Sequence, residues 1–163
     1  MLVIAMLGPA LPANADVNAR LDTLIGEIQQ DNAHIPHVQI KDVDLQDVQM
    51  ILIDVRQANE FAVSRIPNAI NIVDDQALVD FAKANPKAKL VLYCSVGLRS
   101  AEKVTLLKRA GVNNATNMVG SIFAWANHGL PLENTQGVTS SVHPYNWLWG
   151  WRYLGEALHS YQP

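Results

Sequence analysis

Apolar side chains fall along this chain in two rhythms. Between residues 17 and 30, Val17, Leu21, Leu24, Ile25 and Ile28 recur every three or four positions, the spacing that gathers them on one face of an amphipathic helix. Five shorter segments are apolar almost without interruption: residues 38–40, Gln49-Met-Ile-Leu-Ile-Asp-Val55, Ala69-Ile-Asn-Ile-Val73, Lys89-Leu-Val-Leu-Tyr93 and Thr116-Asn-Met-Val119. Such runs fit strands covered on both faces, as parallel strands are. Helical segments separate them. Residues 75–84 end at Asn85-Pro86, and residues 100–110 carry Lys108 and Arg109 in the last turn with Gly111 beyond it, where a glycine ends a helix. Strands alternating with helices predict an α/β fold with a central, mainly parallel sheet of about five strands flanked by helices.

The two ends depart from this pattern. Residues 1–15 carry no charge and close on Ala13-Asn14-Ala15, the small-x-small pattern of a signal-peptidase site, so an export signal cleaved before Asp16 and a location in the bacterial periplasm are expected. No Lys or Arg precedes the apolar stretch, which leads to the further expectation of a natural start upstream of Met1. The stretch is too short, and too interrupted by Pro9 and Pro12, to span a bilayer; a short apolar arm packed on the domain is the competing reading. At the other end, polar residues 134–141 lead to His143-Pro-Tyr-Asn-Trp-Leu-Trp-Gly-Trp-Arg-Tyr153, with tryptophans at 147, 149 and 151. Such an arm either covers an open apolar face or docks a protein partner. The expected organisation is a signal peptide at 1–15, a helix within 16–35 preceding the domain proper, the domain at 36–133, and a linker with an aromatic arm at 134–163.

A length of 163 residues allows one domain with a real core. The net charge of -3, with 12 Lys and Arg spread thinly, offers no basic face for nucleic acid. Five histidines include His34-x-x-His37, but this pair sits in a Pro-containing loop without a cysteine or clustered carboxylates, so neither a metal nor a cofactor is expected. The single cysteine, Cys94, excludes an intramolecular disulfide.

Cys94 follows an apolar strand and opens Cys94-Ser-Val-Gly-Leu-Arg99-Ser100 before a helical segment. A helix N-terminus offers unpaired N–H groups and a partial positive charge, which favour a thiolate and any anion brought to it. A small buried core residue is the alternative reading of such a cysteine. Gly97 can take the positive φ that curls successive N–H groups around one point, and Ser100 suits the N-cap of the helix. Arg99 either attracts an anionic donor or forms a structural ion pair with a carboxylate.

Three segments together resemble the rhodanese-like sulfurtransferases. Asp54-Val-Arg56, Glu60-Phe61 and Arg65-Ile-Pro-Asn-Ala-Ile-Asn-Ile72 are similar to the family's first motif, the Cys94 loop to its Cys-x-x-Gly-x-Arg-Ser form, and Asn117-Met-Val-Gly120-Ser-Ile-Phe-Ala-Trp125 with Gly129-Leu-Pro131 to its closing elements. Arg65 stands where a histidine is common and Ser121 where a second glycine is common; neither is expected to touch the nucleophile. The resemblance implies a transferase of the thiosulfate sulfurtransferase type. Cys94 would attack the sulfane sulfur of a donor such as thiosulfate, hold it as a persulfide, and pass it to a thiol or cyanide acceptor. Ser95, Val96, Gly97, Leu98, Arg99 and Ser100 would form the substrate-binding loop, and Asp54, Arg56 and Glu60 would support the scaffold. Ser95, Val96 and Leu98 are expected at the pocket mouth. Two other readings stay open: a persulfide carrier or sulfur-responsive module docking a partner through the aromatic arm, and phosphatase or arsenate reductase chemistry, which the six-residue ring from Cys94 to Arg99 disfavours.

Overall fold

The computed structural model describes residues 14–163. Helix α1 (Asn14–Asp31) leads to strand β1 (His37–Val38) and a 3-10 turn (Ile40–Asp42). Then follow β2 (Met50–Asp54), α2 (Ala58–Val63), β3 (Ile70–Asn71), α3 (Asp75–Ala84), β4 (Lys89–Tyr93), α4 (Leu98–Arg109), β5 (Ala115–Met118) and α5 (Ser121–Asn127). Beyond them lie β6 (Leu132–Asn134), β7 (Gly137–Thr139), α6 (Trp147–Tyr153) and a second 3-10 turn (Glu156–Leu158).

The first five strands form one sheet in the order β1-β5-β4-β2-β3, with every pairing parallel. This is the expected α/β architecture. Alternation along β4 shows why its strands read as unbroken apolar runs: Leu90 and Leu92 turn to one face, Val91 and Tyr93 to the other, and all four are buried. The first face packs on α3 and α4 through Leu78, Ala82, Ala101, Val104 and Leu107. The second packs on α1, α5 and the C-terminal arm through Leu21, Ile28, Ile122, Phe123, Val142 and Leu154. Cys94 thus leaves the carboxyl end of the central strand, where open α/β sheets bind their ligands.

Three segments differ from expectation. Helix α1, read as preceding the domain, is part of its core: Leu21 and Ile28 are buried, and Ile25 approaches Gly120 so closely that a Cβ there would lie 2.8 Å from Ile25 Cδ1. The polar stretch from residue 134, read as a linker, completes an antiparallel hairpin of β6 and β7. Its strands are three residues long and one face is exposed, so they carry no apolar run. Arg65 and Glu133 exchange backbone hydrogen bonds of 2.9 and 3.0 Å, tying the hairpin to the body of the domain. Helix α4 begins at Leu98 rather than at Ser100, because Gly97 turns the chain at φ +109 and takes the N-cap position itself. Residues 1–13, which carry most of the export-signal reading, lie outside the described residues. No helix among the described residues is long and apolar enough to cross a membrane.

Candidate active site

The loop after β4 is held from both sides. Gly97 donates its N–H to Cys94 Sγ at 3.2 Å. Ser100, in the first turn of α4, donates to Asn117 Oδ1 at 2.7 Å and has its hydroxyl 3.6 Å from the same sulfur. Asn117 in β5 returns a hydrogen bond from Nδ2 to the Gly97 carbonyl at 3.1 Å. On the far side, Ser121 Oγ accepts the Cys94 N–H at 3.1 Å, while the carbonyls of Cys94 and Ser95 accept from Ile122 and Phe123 at the start of α5. A Cβ on Gly97 would lie 3.3 Å from the Met118 carbonyl oxygen, so both the positive φ and the close approach require glycine there. The remaining N–H groups of the first turn of α4 are the ones a helix leaves without intrahelical acceptors. They make the loop a concave donor surface for an anion.

Arg99 is anchored. Its two terminal nitrogens fork onto Glu60 at 2.9 Å each, and Nη2 also donates to Ser95 Oγ at 2.9 Å. Glu60 is placed by the start of α2, where its carboxylate accepts the Gln57 N–H at 3.0 Å and closes a capping box. Burial pushes the Glu60 carboxyl up, but the hydrogen bonds and charge of Arg99, with the Gln57 N–H and the charge of Arg56, outweigh it and hold the group below its ordinary value. For Arg99, burial disfavours the charge, and Glu60 together with the nearby Cys94 more than offsets it.

The C-terminal arm supplies the far wall. A cavity of about 100 Å³ over the loop is lined by Cys94, Ser95, Val96, Leu98 and Arg99 from the loop and by Tyr145 and Trp149 from the arm. The Tyr145 ring lies over the Arg99 guanidinium at 4.9 Å and edge-on to Trp149 at 6.4 Å. Cys94 is only 1% exposed, so a reactant reaches its sulfur through this cavity.

The family model of the rhodanese-like domain matches residues 39–128, more than half of the chain. The chain belongs to the rhodanese-like domain family. A sulfurtransferase from Allochromatium vinosum is 32% identical to it over 94 residues, 58% of this chain and 86% of that protein. A thiosulfate:glutathione sulfurtransferase from Saccharomyces cerevisiae is 25% identical over 96 residues, 51% of this chain and 69% of the relative. The solved rhodanese-like domain of an Anabaena protein has the same fold, with a TM-score of 0.53 at 21% identity over 61% of this chain and 79% of that one. These relatives make sulfur transfer the general chemistry of the family to which the site belongs.

Within this rhodanese-like frame, each residue singled out in the sequence has a definite place. Cys94 to Gly97 form the loop and Leu98 to Ser100 the first turn of α4, with Ser95, Val96 and Leu98 lining the cavity. Asp54 and Arg56 are fully buried beneath it and paired at 2.6 Å; Arg56 also donates to the Ser64 carbonyl at 2.6 Å, so the pair braces the scaffold away from the cavity. Glu60 stands between scaffold and site. Trp125 of the closing motif donates from Nε1 to the Pro131 carbonyl at 2.8 Å. His34 and His37 diverge, the first to Thr105 and the second to Asn32 and Asn117, and His128 bonds the Ala124 carbonyl on the α1 side of the domain.

Two expectations change. Ser121, not expected to touch the nucleophile, accepts the backbone N–H of Cys94. Ser100, read as an N-cap, instead sets Asn117 against the loop, since Gly97 occupies the cap. Tyr145, Trp149 and Asn117 were not foreseen at the site; only the Asn117-to-Trp125 motif pointed toward one of them. His143, beside the wall, is buried, accepts the Tyr145 N–H at Nδ1 and is held below the ordinary histidine value, chiefly by burial.

Proposed function

We propose that the protein is a sulfurtransferase that carries sulfur on Cys94. The observation behind this reading is the Gly97 N–H aimed at Cys94 Sγ at 3.2 Å on the floor of a cavity framed by a helix start and an anchored arginine. In the first step the Cys94 thiolate attacks the outer sulfur of thiosulfate. A new S–S bond forms, the S–S bond of thiosulfate breaks, and its electron pair leaves with sulfite. In the second step an acceptor such as cyanide attacks the outer persulfide sulfur, takes it as thiocyanate, and returns the electron pair to Cys94 as thiolate. Covalent transfer of this kind divides one exchange into two easier displacements. The Gly97 N–H faces the anionic sulfur, and a donor fixed in advance costs no reorganisation when charge moves. Arg99, held by Glu60, contributes a fixed positive field to the incoming donor.

The direct test is thiocyanate formation from thiosulfate and cyanide. The wild type is expected to turn over, and Cys94→Ser to lose the activity while keeping its circular dichroism spectrum; a serine variant as active as the wild type would falsify the assignment.

A second reading shares the first step but delivers sulfur to a docked protein. Its support is the exposure of Trp147 and Trp151, 73% and 63%, on the outer side of α6. Turnover with cyanide alone favours the enzyme. We further propose export with cleavage before Asp16: Ala15 and Asp16 on either side of that bond are exposed, while Val17 beyond them is buried. N-terminal sequencing of the exported chain tests this, and a chain that retains Met1 contradicts it.

A further inference from the structure

We propose that Tyr145 and Trp149 set the acceptor specificity of Cys94, confining it to small sulfur-accepting nucleophiles such as cyanide or sulfite and excluding thiols the size of a tripeptide. This rests on the sulfur-transfer reading above. Both residues lie beyond the part of the chain matched to the family, residues 39–128, so this wall is an addition to the shared domain. With the two rings in place the cavity measures about 100 Å³. Pockets that enclose drug-sized ligands start at about 300 Å³, so with both rings in place the cavity takes in a small nucleophile whole but only part of a tripeptide thiol.

The wall is built into the fold. Tyr145 sits at φ +64, a conformation that side-chain-bearing residues avoid, and it is held there by its N–H bond to His143 Nδ1 at 3.1 Å and by Arg99 beneath its ring. Asn146 caps α6 by accepting the Trp149 N–H at 3.0 Å. Helix α6 is in turn pinned to α1 and α5: Arg20 Nε donates to the Arg152 carbonyl at 3.0 Å, and Asn127 bonds both the Tyr153 carbonyl and the Gly155 N–H at 2.9 Å. Gly150 lies so close to Pro144 and His159 that any Cβ would collide with them. Opening the wall therefore means moving a packed element. The wall presents mostly aromatic surface to a peptide acceptor, and three of the five N–H groups of Arg99 are directed at Glu60 and Ser95.

The test compares kcat/KM for glutathione and for cyanide, with thiosulfate as donor, in the full chain. Tyr145→Gly removes the ring at a position whose backbone glycine adopts freely, and Trp149→Ala removes the second ring. Either is expected to raise the glutathione-to-cyanide ratio about tenfold or more, the range that steric fit controls. Tyr145→Phe keeps the ring and should keep the wild-type ratio. Gly150→Ala, which alters no lining residue, should raise it by displacing α6. The wild type alone provides a second reading: alkylation of Cys94 by iodoacetamide should outpace a fluorescein maleimide once both rates are normalised to free cysteine. An unchanged ratio in folded variants, or equal normalised alkylation, overturns the proposal while leaving sulfur transfer intact. Failure of Cys94 to take up sulfur from any donor removes the reading beneath it.

Discussion

Glu60 joins the scaffold to the chemistry in a single side chain. One carboxylate caps α2 through the Gln57 N–H and grips both terminal nitrogens of Arg99, so its loss unfastens a helix start and frees the arginine over Cys94. Glu60→Gln is expected to cost about 1.5–3 kcal/mol, the range for a hydrogen bond to a charged group, measured by urea unfolding at neutral pH. The pH dependence has a definite sign. The folded carboxyl titrates below its ordinary value of 4.5, so the unfolded chain binds the proton more readily, and the pair's contribution is fully present above that value. It is lost as pH falls through the lower, folded value. The glutamine variant should therefore show a shallower loss of stability in acid than the wild type; an identical acid limb would contradict the pairing.

The elements that place the loop meet at the start of α5. Ser121, Ile122 and Phe123 each bond the Cys94–Ser95 backbone, and Gly120 lets the chain enter that helix at φ +72. A Cβ on Gly120 would lie 2.6 Å from Ala124 Cβ and 2.8 Å from Ile25 Cδ1, so Gly120→Ala must push α5 away from α1. The expected cost is about 2–4 kcal/mol from backbone strain and overpacking together, read by thermal or urea denaturation, with thiocyanate formation falling as the loop loses its support. The same region shows how far the sequence reaches. Strand β4, helix α1 and the Cys94 loop were legible because an apolar run, a 3.6-residue period and a glycine-bearing turn are local signals. The hydrogen bond from Cys94 to Ser121 spans 27 residues of sequence and follows only from the parallel pairing of β4 with β5. The β6–β7 hairpin was hidden for a different reason: strands of three residues, of which only Leu132 is buried, bury too little to leave a pattern.

Over the whole molecule, the family-matched region supplies the sheet and the loop, and the segments on either side of it finish one face. Helix α1 and the arm bring Leu21, Ile28, Val142 and Leu154 into the same core cluster as Val91 and Tyr93, and the arm then reaches across to Cys94 with Tyr145 and Trp149. The sequence posed the arm as either a cover or a docking surface. Its three tryptophans divide by burial, with Trp149 on the cavity and packed on the core while Trp147 and Trp151 face solvent. That division could not be read from the aromatic cluster, because burial on this short helix depends on where α1 and α5 stand. The sulfur proposed to be carried on Cys94 is measured most directly by intact-protein mass spectrometry after incubation of the full chain with thiosulfate. The account predicts a gain of one sulfur atom, localised to Cys94 by peptide mapping, absent from Cys94→Ser and discharged by cyanide. A folded wild-type protein that gains no sulfur from thiosulfate or from an inorganic polysulfide would contradict it.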